Sequence, residues 1–277
     1  MKKLLALIVM SLMALTAVFG FTACNKDDGK TLQVYTNAGF APYEYVDKDG
    51  EVKGVDIEIM KEIGSVLGYN VVINDIEFDQ ILEEVGKNTL AVGAAGMTKK
   101  ESRDLVALAS ISYATSVQYV ITAKDALDDY VVDGKVAVSA LSNLSKKVVG
   151  VQEGTTGNWL VEDAISGTTD DDGNHVTGDL EGKDFSVITY TNAIVASGDI
   201  GQSLGAVVID KLPAQAIVAS NNALECYELD AEPESYVLYF NLEATELVEK
   251  VNAVLQVMID NGVIDYYTLK HSGGILG

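Results

Sequence analysis

The sequence has 277 residues, with 19 Lys plus Arg against 41 Asp plus Glu, and a formal net charge of −22. That length holds one large domain or two modest ones, and 48% apolar with 22% charged residues is a globular composition. The acidity argues against a nucleic-acid binder, which needs clustered Lys and Arg, and two cysteines cannot build a disulfide scaffold or a Cys-rich zinc site. No P-loop, nucleophile elbow, GxGxxG run or zinc-protease spacing is present, and no catalytic residue, metal site or cofactor is assigned.

Taken in chain order, Met1-Lys2-Lys3, the apolar run Leu4 to Phe19 and Gly20-Phe21-Thr22-Ala23-Cys24 follow the plan of a secretory signal. Phe-Thr-Ala-Cys resembles the bacterial lipobox, in which the cysteine is lipidated and becomes the new N-terminus, although Phe21 stands where an aliphatic residue is usual. The alternative is an uncleaved anchor, since Leu4 to Ala23 just reaches the length of a bilayer span. Removal of residues 1–23 takes away Lys2 and Lys3 and moves the net charge to −24. With Cys24 acylated, Cys226 has no disulfide partner in the chain. Residues 24–30 read as a lipidated, flexible tether.

Beyond the tether, β-branched runs alternate with helical patterns. Leu32 to Thr36, Val71 to Ile76, Leu90 to Ala94, Val117 to Thr122, Lys147 to Val151, Phe185 to Thr189 and Ala206 to Ile209 read as strands. Ile59, Met60, Ile63, Val66 and Leu67 recur at helical spacing before a Gly68 stop, and Leu247, Val251, Val254, Leu255, Met258 and Ile259 do so before Asn261-Gly262. Asp47-Lys48-Asp49-Gly50 is a hairpin-turn signal. Ser166 to Lys183 reads as one long, exposed, structureless loop, part of which half-imitates a calcium loop but lacks its first Asp and its twelfth Glu. Alternation of strand and helix implies α/β layers with mostly parallel sheets.

In such sheets ligands sit beyond the carboxyl ends of strands. Four segments occupy those positions: Asn37 to Tyr45 with Phe40, Ala95 to Thr98 followed by Arg103, Gln152 to Thr156, and Asp210. Arg103 suits a carboxylate through two parallel charge-assisted bonds, and Thr155-Thr156 at a helix start offers free N–H groups to an anion. Asp210 suits an ammonium, and Phe40 an apolar or cation–π face. Together these groups describe an α-amino acid site. Singly, each has a plainer role: Arg103 as solvated surface, Asp210 or Thr155 as a helix cap, and Phe40 and Phe78 as core. His175 and His271 read as solvent-exposed.

From Thr36-Asn37-Ala38 through Phe40 and Pro42-Tyr43-Glu44-Tyr45, the sequence resembles the amino-acid-type solute-binding proteins of bacterial ABC importers. The resemblance continues through Gly54-Val55-Asp56-Ile57-Glu58, Gly93 to Thr98 with Arg103, Gly150-Val151-Gln152 with Gly154-Thr155-Thr156-Gly157, and Ala206 to Pro213, covering about residues 30–270. It implies a two-lobed α/β fold of the type II periplasmic-binding-protein kind, with two crossover strands and the ligand between lobes. By analogy lobe 1 is 31–116 plus 234–277, and lobe 2 is 117–233. Carried over residue by residue, Arg103, Thr98 and the Thr156 N–H take the ligand carboxylate, and Asp210 and the Gly96 carbonyl beside Ala95 take the ammonium. Asn37, Phe40, Phe78 and Gln152 line the side-chain end. Departures from the family pattern are Lys99-Lys100, the expanded 166–183 loop and Tyr266-Tyr267.

The expected function is capture of a free polar amino acid by a monomeric receptor, held on the outer membrane face through Cys24, and its delivery to an ABC permease. One rival is an enzyme on the same fold, such as a dehydratase of aromatic amino acid precursors, with Glu153, Asp56 or Glu58 as acid or base. Another is a sensor domain, although no transmembrane or signalling module follows residue 277.

Overall fold

A computed structural model describes residues 30–273; the signal segment 1–23 and the tether through residue 29, Cys24 included, lie outside the described residues. The chain forms two compact units. Unit 1 takes residues 30–38, 42–114 and 235–273, and unit 2 takes 39–41 and 115–234. In chain order the helices are α1 (Val55–Leu67), α2 (Ile81–Gly86), α3 (Glu101–Asp104), α4 (Thr156–Ser166), α5 (Ala193–Ser197), α6 (Lys211–Ser220), α7 (Thr245–Asp260) and α8 (Val263–His271). The main strands are β1 (Thr31–Thr36), β2 (Asn70–Asp75), β3 (Ala91–Gly93), β4 (Leu108–Ala109), β5 (Gln118–Ala123), β6 (Val148–Gln152), β7 (Ser186–Tyr190), β8 (Ala206–Asp210), β9 (Leu224–Leu229) and β10 (Tyr239–Phe240).

Unit 1 is built on a five-stranded sheet ordered β2-β1-β3-β10-β4. Along β1, Leu32, Val34 and Thr36 are buried and the residues between them half-buried, the two-residue period of a pleated strand. Helix α1 buries Ile59, Met60 and Ile63 completely, each contributing about 1.5–3 kcal/mol relative to an exposed side chain. Asp56 and Glu58 in its first turn suit the helix dipole, and Gly68 ends it at φ 77, a left-handed conformation that a Cβ disfavours. Helix α7 buries the predicted stripe of Leu247, Val251, Val254, Leu255 and Met258 and packs with α8 against α1.

Unit 2 carries a sheet ordered β9-β5-β8-β6-β7, extended beyond β9 by Lys135–Val136 and Val131–Val132. Its core gathers Val120, Val149, Val151, Val161, Leu180, Phe185 and Val208, with α4 laid over β6 and β8. Cys226 in β9 is a free thiol, pushed up to about 11 by burial. Ala114–Ser116 and Glu234–Tyr236, at the two places where the chain changes unit, pair with each other.

Both sheets are mixed, whereas the sequence suggested mostly parallel ones. β1 lies parallel to β2 and β3, and β6 to β7 and β8, but β10 and β5 run antiparallel to both of their neighbours. These two are the first sheet strands after a change of unit, and no crossover helix precedes them, which parallel insertion requires. The 166–183 segment is not structureless. Thr168–Thr169 and His175–Val176 form a hairpin, and Leu180 anchors it to the core at 1% exposure. Asp170 Oδ1 accepts from the N–H groups of Asp172 and Asn174, so this half-match to a calcium loop is a braced turn.

Candidate ligand site

In unit 1 the end of β1 is tied to the end of β2. Asn37 Nδ2 donates to Ile76 O at 2.7 Å, and Ala38 N–H donates to Asp75 Oδ1 at 2.8 Å. Phe78 opens the short 3-10 turn two residues further on. After β3 the chain enters the segment 94–98, whose shape is set by a buried acid. Gly96, at φ 56, donates its N–H to Asp56 Oδ2 at 2.9 Å, and Tyr113 Oη lies 2.8 and 2.7 Å from the two carboxylate oxygens, to which it donates. Burial pushes the Asp56 carboxyl up to about 6, against the opposing pull of these two donors. Ala95 and Met97 face the cluster of Ile81, Val85, Val237 and Tyr239, which Phe78 flanks.

Arg103, read alone, suggested a solvated surface residue. It sits in α3 at 5% exposure, with Nη1 donating to Thr98 O at 2.8 Å and Cζ 5.5 Å from the centre of the Phe78 ring. Tyr239, from β10, places its hydroxyl 3.4 Å from the same carbonyl and accepts from Lys100 N–H at 3.2 Å; burial pushes it up to about 12. Thr98, Arg103, Phe78, Ala95 and Gly96 therefore form one assembly.

In unit 2, Gln152 ends β6 and Thr155 caps α4, accepting from Asn158 N–H at 3.2 Å and donating to Gln152 O at 2.8 Å. Thr156 is thus the first helical residue. Its hydroxyl donates to Glu234 Oε2 at 2.8 Å and accepts from Gln118 Nε2 at 3.3 Å; Gln118 Nε2 also donates to Glu234 Oε1 at 3.1 Å. Gln118 is the cross-strand partner of Asp210, and both are buried. Asp210 occupies the cap position of α6 without a side-chain capping hydrogen bond, so it is not the ordinary cap its sequence position suggested. Phe40 is buried and belongs to unit 2 with Gly39 and Ala41, apart from Asn37.

Several participants were not foreseen. Gln118 carries a faint sequence signal, an amide in an otherwise apolar strand; Glu234 carries none among the acids of 230–234, and Tyr113 and Tyr239 none that distinguishes them from core. His271, expected in solvent, has a side chain only 6% exposed, 3.0 Å from Tyr45 Oη and 3.3 Å from Glu58 Oε1, and burial lowers its pKa. The acids considered for catalysis are engaged or outlying: Asp56 as above, Glu58 with Lys270 and His271, and Glu153 exposed. Among the described residues, Asp125, Asp128 and Glu225 bring carboxylate oxygens within 4.8 Å of one another, but the two aspartates are exposed and Tyr227 donates to Asp128, as in a solvated acidic turn. An open depression of about 390 Å³ on unit 2, lined by Gly39, Ala41, Ile194, Pro213 and Ile217, includes none of the residues assigned to the ligand.

The model of the bacterial extracellular solute-binding proteins, family 3, matches residues 32–273. The chain belongs to that family. Its fold is the type II periplasmic-binding-protein α/β architecture, and its kind is solute-binding rather than enzymatic. It is 26% identical to the arginine-binding extracellular protein ArtP of Bacillus subtilis over 274 residues, 96% of each chain. It is similar to an arginine-binding protein of T. maritima with a TM-score of 0.70 and 26% identity, covering 94% of this chain and 98% of that one. An ancestral arginine-binding protein solved with glutamine gives 0.71 and 27%, covering 87% and 96%. Those relatives are amino-acid-binding proteins by name.

Proposed function

We propose that this chain captures one free amino acid through the residue sets of both units and delivers it to an ABC permease, as a monomer tethered to the outer face of the membrane by a lipid on Cys24. The observation that carries the reading is Arg103, a residue at 5% exposure whose guanidinium is held by the Thr98 carbonyl and the Phe78 ring. A preoriented planar fork matches a carboxylate. The Thr156 N–H at the start of α4 is a second anion donor, and Asp210 serves the ammonium. Asn37, Gln152, Phe40 and Phe78 suit a polar side chain with a flat or apolar stem. Arginine and glutamine come first as ligands, because ArtP is an arginine-binding protein and the ancestral relative was solved with glutamine. The net charge is no argument for a cationic ligand, since surface charges are screened over about 8–10 Å.

Thermal shift against the twenty amino acids, followed by calorimetry, tests the reading. A ligand at 1,000 times its Kd stabilises the fold by about 4 kcal/mol. Failure of every amino acid to raise the melting temperature or give binding heat would refute it.

A further inference from the structure

The helix start assigned to the ligand's carboxylate already holds a carboxylate of the chain itself. Glu234 accepts through Oε2 from Thr156 Oγ1 at 2.8 Å and through Oε1 from Gln118 Nε2 at 3.1 Å. The arrangement is closed, because Gln118 Nε2 also reaches Thr156 Oγ1 at 3.3 Å. It is built into the packing as well. Gln118 is 1% and Thr156 7% exposed, and Gly157 lies so close that a Cβ there would fall 2.8 Å from Gln118 Oε1. Thr156 opens an eleven-residue helix, whose first N–H groups lack intrahelical acceptors and favour an anion nearby. An amino acid bringing its own carboxylate to this helix start meets a like charge at short range, and like charges disfavour one another most where water is excluded.

We propose that Glu234 is a built-in competitor for the carboxylate end of the ligand, holding the Thr156 hydroxyl until an amino acid displaces it. This rests on the reading of the Thr156 N–H as a carboxylate donor given above, and adds the hydroxyl of the same residue as a second donor to that carboxylate. Glu234 then sets affinity rather than choice: it weakens α-amino acids alike through the group they share. Return of Glu234 to the Thr156 hydroxyl also gives the bound ligand a route of exchange, with one carboxylate replacing another at the same residue.

The test is calorimetry with L-arginine and L-glutamine on the full chain as wild type, Glu234→Gln, Thr156→Val and the double variant. Glu234→Gln should bind whichever probe the wild type binds about tenfold tighter or better, a difference of about 1.4 kcal/mol. On the Thr156→Val background the same substitution should gain less than about threefold (under ~0.7 kcal/mol), because the contested hydroxyl is gone. Equal or weaker binding by Glu234→Gln overturns the proposal, as does a gain that survives intact beside Thr156→Val. Glu234→Ala repeats the comparison if the glutamine variant melts below wild type. Wild type that binds no amino acid overturns the proposed function itself, whereas a binding wild type with an unchanged Glu234→Gln overturns this inference alone.

Discussion

Asp56 should make the protein less stable as pH rises from about 4 to 7, the reverse of what a salt-bridged carboxylate does. Its carboxyl is fully buried and titrates at about 6, against 3.8 for an unburied aspartate. Below both values the group is protonated in folded and unfolded chains and contributes nothing. Between them the folded chain binds a proton that the unfolded chain has released, so stability falls with rising pH. Above about 7 both states are ionised and the penalty is complete. A difference of about two pKa units corresponds to about 3 kcal/mol. Asp56→Asn keeps an oxygen to accept from Gly96 or Tyr113 and removes the titration. In urea unfolding measured at matched pH values, the stability of wild type minus that of Asp56→Asn should therefore drop by about 2 kcal/mol between pH 4 and 7. Taking the difference cancels the other forty acids. A difference flat within about 1 kcal/mol, or one that grows with pH, would show that the carboxyl is not desolvated in the way described.

Arg103→Ala and Asp210→Asn should each cost about 2–5 kcal/mol of amino acid affinity by calorimetry, since each leaves a ligand charge unpaired; losses under about threefold in both, with cooperative melting intact, would remove the clamp. Gly54→Ala should destabilise unit 1 or prevent its folding, because Gly54 sits at φ 138 with the added Cβ 2.0 Å from Tyr43 O, and the backbone strain alone costs about 1–3 kcal/mol. A melting temperature within about 2 °C of wild type would contradict that geometry. Cys24→Ser should abolish incorporation of labelled fatty acid, and label retained in the variant would remove Cys24 as the anchor.

The elements legible in the sequence were those whose burial follows a period. β1 alternates, and α1 and α7 carry apolar stripes closed by Gly68 and Asn261-Gly262, so their C-terminal ends could be read to within a residue or two, whereas α1 starts at Val55, four residues before the first residue of its stripe. β9 was missed because Glu225, Tyr227 and Glu228 break the apolar run; Glu228 faces Lys135 at 3.1 Å rather than the core. β10 was missed because two residues carry no period, although Tyr239 and Phe240 are among the most buried side chains. At the candidate site, residues at strand ends were readable from the fold rule and the motifs. The residues that orient them were not. Asp56 reaches Gly96 across 40 positions and Glu234 reaches Thr156 across 78, and no local pattern encodes partners that far apart.

The place of β10 bears on how the chain is made. Tyr239–Phe240 slots between β3 and β4, strands that leave the ribosome some 130 or more residues earlier. At about 5–20 residues per second, on the order of ten seconds pass before the filler arrives. Until then Ala91–Gly93 and Leu108–Ala109 lack the strand that pairs with both of them, and the sheet of unit 1 cannot be completed. Unit 2, by contrast, has its whole main sheet once residue 229 is out. Nascent chains should therefore acquire protease resistance in two stages, unit 2 first. For a member of an extracellular family, a first unit that stays open until residues 239–240 have been made is one that a translocation channel can still thread.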